Sequence, residues 1–535
     1  MDVRRNRLRL DRSHTRGIEQ SAGVMADVIV IGSGLGGLSA GSLLARAGLE
    51  VVVVERNAAP GGYAQPFRRG PNLFDPAIHF TMDAGPGGFI PAMLTHLEVA
   101  GGVEFLELPQ TYQARFPGLV IDAPPGRDAF LDLHQRLFPT QADGLERLFD
   151  LRRNMFTQLA SLPQQVGTGG LEDAMAAAPL VFRYRMATLA DVLAEFVDDP
   201  RCAAALGSIW PYIGSPPSRM SFPLFNQMLE TLHHGTYYPR GGFGTLVDAL
   251  STAVVANGGA VRLGTEVERI LIEDGRAAGV VVAGGEVLRA RAVVSNADAR
   301  HTFGELVGWN ALPAPLRRRL DRYRLAPSAF ALYGALRADP RELGLSHEGF
   351  VFGSWDTDAI WEDVQAARPG GIWVTVPTLA DPELAAEGGH LAVVTSLVRA
   401  DSECRWPEIR EAHARELLGA VENGVPGFRD AFETIDIATP DTLFRYSRNA
   451  CGAAYGWENT PAQTASKRLG HRTPLPGLYL SGHWAEEGTS SLRTLTSGRA
   501  TAALVVADLE HPTAVPDFGG PSFVAELAAG TPAAG

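Results

Sequence analysis

Residues 26–55 read ADVIVIGSGLGGLSAGSLLARAGLEVVVVE, and the architecture of the chain turns on that stretch. Its uncharged part, residues 28–45, is short for a bilayer span of about 20 residues. DVIVI is a β-branched run suited to a strand buried on both faces. It ends in Gly32-Ser33-Gly34-Leu35-Gly36-Gly37, a G-x-G-x-x-G turn. Leu38, Leu43, Leu44 and Ala47 then recur at helical spacing, and Gly48 sits where a helix C-cap belongs. A second valine-rich strand finishes on Glu55. Strand, glycine turn, helix and strand make a βαβ unit, which excludes a membrane helix. Gly32 permits the tight turn, Gly34 lets backbone approach a pyrophosphate, and Gly37 allows close packing of helix on strand. The helix N-terminus faces the phosphate charge. Glu55 stands where a carboxylate accepts hydrogen bonds from a ribose hydroxyl. The unit binds a dinucleotide, with Ser33, Gly36 and Arg56 assigned to the same site.

The residues after Glu55 point to which dinucleotide. RNAAPGGYAQPF places Gly61-Gly62 just beyond the acidic strand end, where backbone runs against the far half of a large, extended cofactor. A second G-x-G-x-x-G after a strand is missing elsewhere in the sequence. FAD is therefore favoured over a nicotinamide nucleotide. Residues 30–62 resemble the FAD fingerprint of the phytoene desaturase, carotenoid isomerase and retinol saturase group, within the amine-oxidase-like flavoproteins. The resemblance recurs in FDPAIHF (74–80), YYPRGGFGTLVDAL (237–250), VVSNADA (293–299), GAAYGWENTPAQ (452–463) and GLYLSGHW (477–484).

The resemblance implies further site residues. The strand containing Val267 is expected to pass the adenine end of FAD. The segment from Gly482 to Gly498, with His483 and Leu492, is expected to meet the flavin. There the chain departs from the family pattern: Glu487 stands for a proline, Thr489 and Ser490 for glycines, and Arg493 for a small residue. These changes put in question the room for a bulky polyene. Arg493 has two readings, a cation toward reduced flavin or an anionic substrate, or a partner of Glu486 or Glu487 near the surface. His79 falls where the family places residues facing the flavin or substrate channel, and reads either as a proton-handling group or as a packing or hydrogen-bonding histidine. Tyr455 and Trp457 are the aromatic pair expected near the flavin. Tyr237 and Tyr238 read either as cavity wall or as core aromatics, and His233 and His234 read as helix C-terminal caps.

The whole chain fits an α/β protein: a Rossmann-like FAD-binding domain assembled from discontinuous segments, with an α+β substrate-binding domain. The expected boundaries are 25–108, 237–310 and 472–510 for the first, and 109–236 and 311–471 for the second. Residues 127–162 read as amphipathic helix, and 329–336, 372–377 and 391–398 as strands of a second sheet. Residues 1–24 read as a disordered basic arm, with Met25 an alternative start, and 511–535 as a loose tail. The 535 residues are 45% hydrophobic and 20% charged, as in an ordinary globular protein. A net charge of −13 excludes a nucleic-acid backbone as partner. Cys202, Cys404 and Cys451 form no C-x-x-C pair, which suits a reducing, cytoplasmic compartment. The expected activity is flavin-dependent hydride abstraction from an apolar small molecule, with oxygen or a quinone as electron acceptor. Isomerisation, saturation, amine oxidation and a non-catalytic FAD-binding partner are the alternatives. A peripheral contact with a membrane surface through the helical segment also stays open.

Overall fold

The computed structural model describes residues 25–166, 171–401 and 404–518; the expected basic arm and the last part of the expected tail lie outside them. The opening stretch folds as β1 (Ala26–Ile31), α1 (Leu35–Arg46) and β2 (Val51–Val54). β1 and β2 run parallel, Val28 beside Val51 and Ile31 beside Val54. Val28, Ile29 and Val30 are fully buried, so β1 shows an apolar run rather than alternation. Three strands from distant parts of the chain complete the parallel sheet. Ala260–Arg262 adds beside β2, Val287–Ser295 beside β1, and Leu478–Leu480 beyond it.

Val287–Ser295 also ends an antiparallel meander with Val267–Glu273 and Arg276–Val282. Its first turn holds Asp274 and Gly275 at φ 49° and 73°, the paired positive angles that match the twist of a two-residue hairpin. The C-terminal helix Ser491–Asp508 packs on α1 with backbone closeness. A Cβ at Gly498 would lie 2.5 Å from both the Gly36 carbonyl oxygen and the Ser39 Cβ.

A second, seven-stranded sheet runs in the order 432–438, 328–336, 390–398, 370–375, 348–351, 112–116, 119–123. Its pairings are antiparallel except for Glu348–Val351 beside Tyr112–Phe116. The strands Ser328–Leu336, Gly370–Thr375 and His390–Val398 lie where the apolar pattern places them.

Residues 127–162 are largely helical, as expected, in two helices, Arg127–Leu137 and Ala142–Val166; one expectation, for the tail, needs correction. Pro139 stands at the break, where its ring and missing N–H prevent a continuous helix. Residues 511–518 are not loose: Phe518 packs edge-on against Phe89, 5.8 Å between centroids, and Asp517 pairs with Arg499 at 2.6 Å. Among the described residues, no helix is long and apolar enough to cross a membrane.

Candidate functional site

One continuous cavity of about 480 Å³ touches both sheets. At one end lie Gly32, Gly34 and Gly36 of the glycine turn, Glu55, Arg56, Gly61, Gly62 and Val267; at the other lie His79, Phe80, Tyr212, Leu224, Met228 and Trp373. The two glycine segments are joined directly, because Gly61 N–H donates to the Ser33 carbonyl at 3.0 Å. Gly32 and Gly61 have φ 89° and 120°, angles that L side chains rarely adopt.

The backbone forms a cradle with no room for side chains. A Cβ at Gly34 would meet Asn296 Nδ2 at 2.8 Å, and one at Gly36 would meet Gly482 Cα at 2.7 Å. Asn296, which follows the strand Val287–Ser295, thus wedges the glycine turn against the C-terminal segment. Sequence reading quoted this residue in VVSNADA without giving it a role; only a contact between three distant segments exposes it. Gly37 does not face the cavity. It lies against the Gly32 carbonyl oxygen, which a Cβ would overlap.

Glu55 is buried and fully engaged. Its Oε2 accepts from Ser33 N–H (2.9 Å) and Ser33 Oγ (2.8 Å). Its Oε1 accepts from Asn57 N–H and Asn57 Nδ2, each at 2.8 Å. The two backbone bonds aim the carboxylate, while the hydroxyl and carboxamide are the partners that ribose hydroxyls would replace. Ser33 therefore acts through Glu55. Arg56 Nε lies 3.6 Å from Glu266, beside Val267 on the cavity wall. A narrow glycine cradle, a helix N-terminus and an aimed carboxylate at the strand end fit the pyrophosphate and ribose of FAD.

The C-terminal segment is pinned from below by Arg468, another residue that sequence reading missed. Its guanidinium, 2% exposed, donates to the carbonyls of Gln463, Trp457 and His483 and to Asn459 Oδ1. His483 lines the cavity beside Tyr63, with which it stacks. Burial, with the Arg468 charge second, lowers the His483 pKa to about 3, so the ring is neutral.

Arg493 lines the cavity but takes neither expected carboxylate partner. It donates to the Glu487 carbonyl and to Gln227 Oε1, while the Glu487 carboxylate holds His471 at 2.8 Å. Thr489 Oγ1 donates to the Tyr455 carbonyl, Ser490 Oγ caps Arg493 N–H, and Ser491 Oγ donates to Thr81. The polar groups of this loop thus spend their hydrogen bonds on protein.

Tyr455 lines the cavity and Trp457 does not. Trp457 is wholly buried against Trp484 and Tyr323, because it belongs to the core behind the C-terminal segment. Leu492 is likewise a core residue. Tyr237 and Tyr238 stand off the cavity; Tyr238 Oη donates to Asp75 at 2.5 Å. His233 is the C-cap of the helix Phe222–Leu232, as expected, its N–H donating to the Leu229 carbonyl, but its ring does not act there as a cation. Burial, then the nearby Arg152, drives its pKa well below the ordinary value and keeps it neutral.

His79 lies in the wall, 4% exposed. Its Nδ1 meets Thr375 Oγ1 at 2.8 Å, Tyr212 Oη at 3.0 Å and Trp373 Nε1 at 3.2 Å. Burial holds its pKa at about 3. The three carboxylates on the cavity wall, Glu55, Glu266 and Asp436, are all engaged, Glu266 by Arg56 and Arg448, Asp436 by Arg69.

Over 509 residues the chain is 27% identical to prolycopene isomerase 2 of an Oncidium hybrid cultivar, covering 90% of this chain and 84% of that protein. It is 27% identical over 493 residues to a lycopene-forming phytoene desaturase of a Paracoccus species, covering 90% and 97%. The crystal structure of an oxidoreductase from Methanosarcina mazei superposes with a TM-score of 0.62 at 22% identity, covering 90% of this chain and 100% of that one. That last likeness speaks to fold alone. Residues 35–506 match the family described as flavin containing amine oxidoreductase, and the chain belongs to that family as an FAD-dependent oxidoreductase.

Proposed function

We propose that this protein abstracts hydride from an apolar isoprenoid or polyene-like molecule to form a C=C bond, with oxygen or a quinone as final electron acceptor. One observation carries the reading. The cavity away from the glycine turn is walled by Phe80, Ile209, Ile213, Leu224, Met228 and Trp373, and no described carboxylate on the wall is free. An ammonium substrate entering this space loses its hydration without gaining a counter-ion, at a cost of several kcal/mol. Arg493 adds repulsion. An apolar chain gives up no polar hydration on entry and gains about 25 cal/mol for each Å² of its surface removed from water.

Bound FAD supplies the two-electron acceptor. The chain supplies binding and exclusion of water. The glycine cradle and Glu55 would hold the nucleotide half, and the Gly482–Ser491 segment would hold the flavin half. The apolar walls keep the substrate dry. The names of the two relatives, a desaturase and an isomerase, support a polyene and leave open whether oxidation is net. Incubation with polyene hydrocarbons and amines, followed by mass analysis, tests the proposal. A product two hydrogens lighter from a polyene is expected. Isomers of unchanged mass would replace desaturation by isomerisation, and hydrogen peroxide released with amines alone would overturn the apolar reading.

A further inference from the structure

Arg493 stands in the first turn of the C-terminal helix, on the cavity wall. Its guanidinium reaches from the Glu487 carbonyl to Gln227 Oε1. Gln227 belongs to the helix Phe222–Leu232, which gives Leu224, Met228 and Leu232 to the apolar end of the cavity. The cation therefore sits where the Gly482–Ser491 segment meets the apolar wall. Both of its acceptors are neutral. Nη1 and Nη2 each spend one proton on them, which leaves Nε–H and a second proton on each Nη without an acceptor among the described residues. The residue is half-buried and its Nε is not sealed in protein, so unspent donors open on space that a ligand can enter.

The charge is as poorly matched as the donors. The Glu487 carboxylate attracts it but already holds His471 at 2.8 Å, and the buried Arg468 repels it. Burial, against the attraction of Glu487, lowers the Arg493 pKa to about 10, which leaves a cation at neutral pH. The other arginines on the wall are placed differently. Arg56 and Arg448 face Glu266, Arg69 faces Asp436, and Arg445 is exposed over the Tyr446 ring. A cation beside apolar surface without a counter-ion of its own is costly, and an anion carried in by a ligand removes that cost.

We infer that Arg493 anchors a carboxylate at the end of the substrate, so that the preferred substrate is an isoprenoid or polyene acid rather than a plain hydrocarbon. The inference rests on the hydride-abstraction reading above and narrows its substrate. The charge that repels an ammonium holds a carboxylate, while the chain of the acid lies along the apolar wall of Leu224, Met228 and Trp373. The planar fork of a guanidinium pairs with the two oxygens of a carboxylate. A single cation balances a single negative charge, which favours a carboxylate over a diphosphate.

Geranylgeranoic acid and its methyl ester, which share a chain and differ in charge, test the anchor on the FAD-loaded protein at neutral pH. Anaerobic bleaching of the flavin gives kcat/KM for each. The wild type is expected to favour the acid by about tenfold to a hundredfold, as hydrogen bonds between charged groups allow. Arg493→Gln is expected to abolish that preference, chiefly through KM for the acid, and Arg493→Lys to keep part of it. Retained flavin verifies folding, and a purely structural role would lower acid and ester alike, leaving the preference intact. A second readout needs no turnover. Phytanic acid, a saturated analogue, is expected to perturb the flavin absorbance on binding, with a Kd raised by about the same factor in R493Q. Equal use of acid and ester by the wild type, a preference that survives R493Q, or tighter binding of geranylgeranyl diphosphate than of the acid overturns the anchor alone. A wild-type flavin bleached neither by these compounds nor by a polyene hydrocarbon overturns the parent reading.

Discussion

Gly37 shows how little slack the nucleotide cradle has. Its Cα hydrogen occupies the only space before the Gly32 carbonyl oxygen, so Gly37→Ala must push α1 away from the end of β1. Such overpacking costs about 1–3 kcal/mol, and the cradle loses its spacing as well. The variant is expected to melt several degrees lower and to shed flavin on gel filtration; wild-type melting and flavin content would contradict the close-packing argument. Gly32, Gly34, Gly37 and Glu55 were legible because their roles depend on spacing within one short βαβ unit. Asn296 and Arg468 were not, because each is brought to the site by contacts with segments far away in the chain. Trp457 was misplaced for a different reason. An aromatic residue in an apolar context reads the same whether it lines a cavity or fills the core behind it.

The C-terminal loop, residues 482–490, has its own clasp. His471 Nε2 faces Glu487 Oε1 at 2.8 Å, and His471 Nδ1 lies 3.0 Å from the Leu480 carbonyl. Burial lowers the His471 pKa, but the hydrogen bond and charge of Glu487 outweigh it and raise the pKa above the ordinary 6.5. Burial raises Glu487, and His471 outweighs it to hold the pKa below the ordinary 4.5. The sign follows for each partner. The contribution from His471 is complete below 6.5 and fades as pH rises through its raised value. That from Glu487 is complete above 4.5 and fades as pH falls through its lowered value. Flavin retention is therefore expected to gain most from this clasp between about pH 4.5 and 6.5, and the gain is expected to vanish in Glu487→Gln. Equal pH dependence of flavin release in both proteins would contradict it. Strands and amphipathic helices were legible from their periods. The interruption at Pro139 was hidden by apolar residues that keep helical spacing on either side.

Across the whole molecule, the parallel sheet is built from chain around residues 26–54, 260–295 and 478–480. The cavity is lined by residues in or next to each of them, among them Gly32, Gly34 and Gly36, residues 265–267 and Asn296, and His483, so FAD bound there would tie together parts that the sequence keeps apart. A ligand present at a hundred times its Kd stabilises the native state by about 2.7 kcal/mol. Stripping FAD is expected to lower the melting temperature of the entire chain in one transition, read by calorimetry; an unchanged midpoint would mean that the nucleotide does not bridge the segments. The same long-range assembly is why the motifs in the sequence were readable one by one while the shape of the cavity between them was not. Its apolar wall and engaged carboxylates are properties of the assembled fold, and they carry the substrate assignment. The most direct test is anaerobic mixing of the purified yellow protein with a polyene hydrocarbon or with a primary amine, followed by flavin absorbance. Bleaching by the polyene and none by the amine is predicted; bleaching by the amine alone would contradict the account.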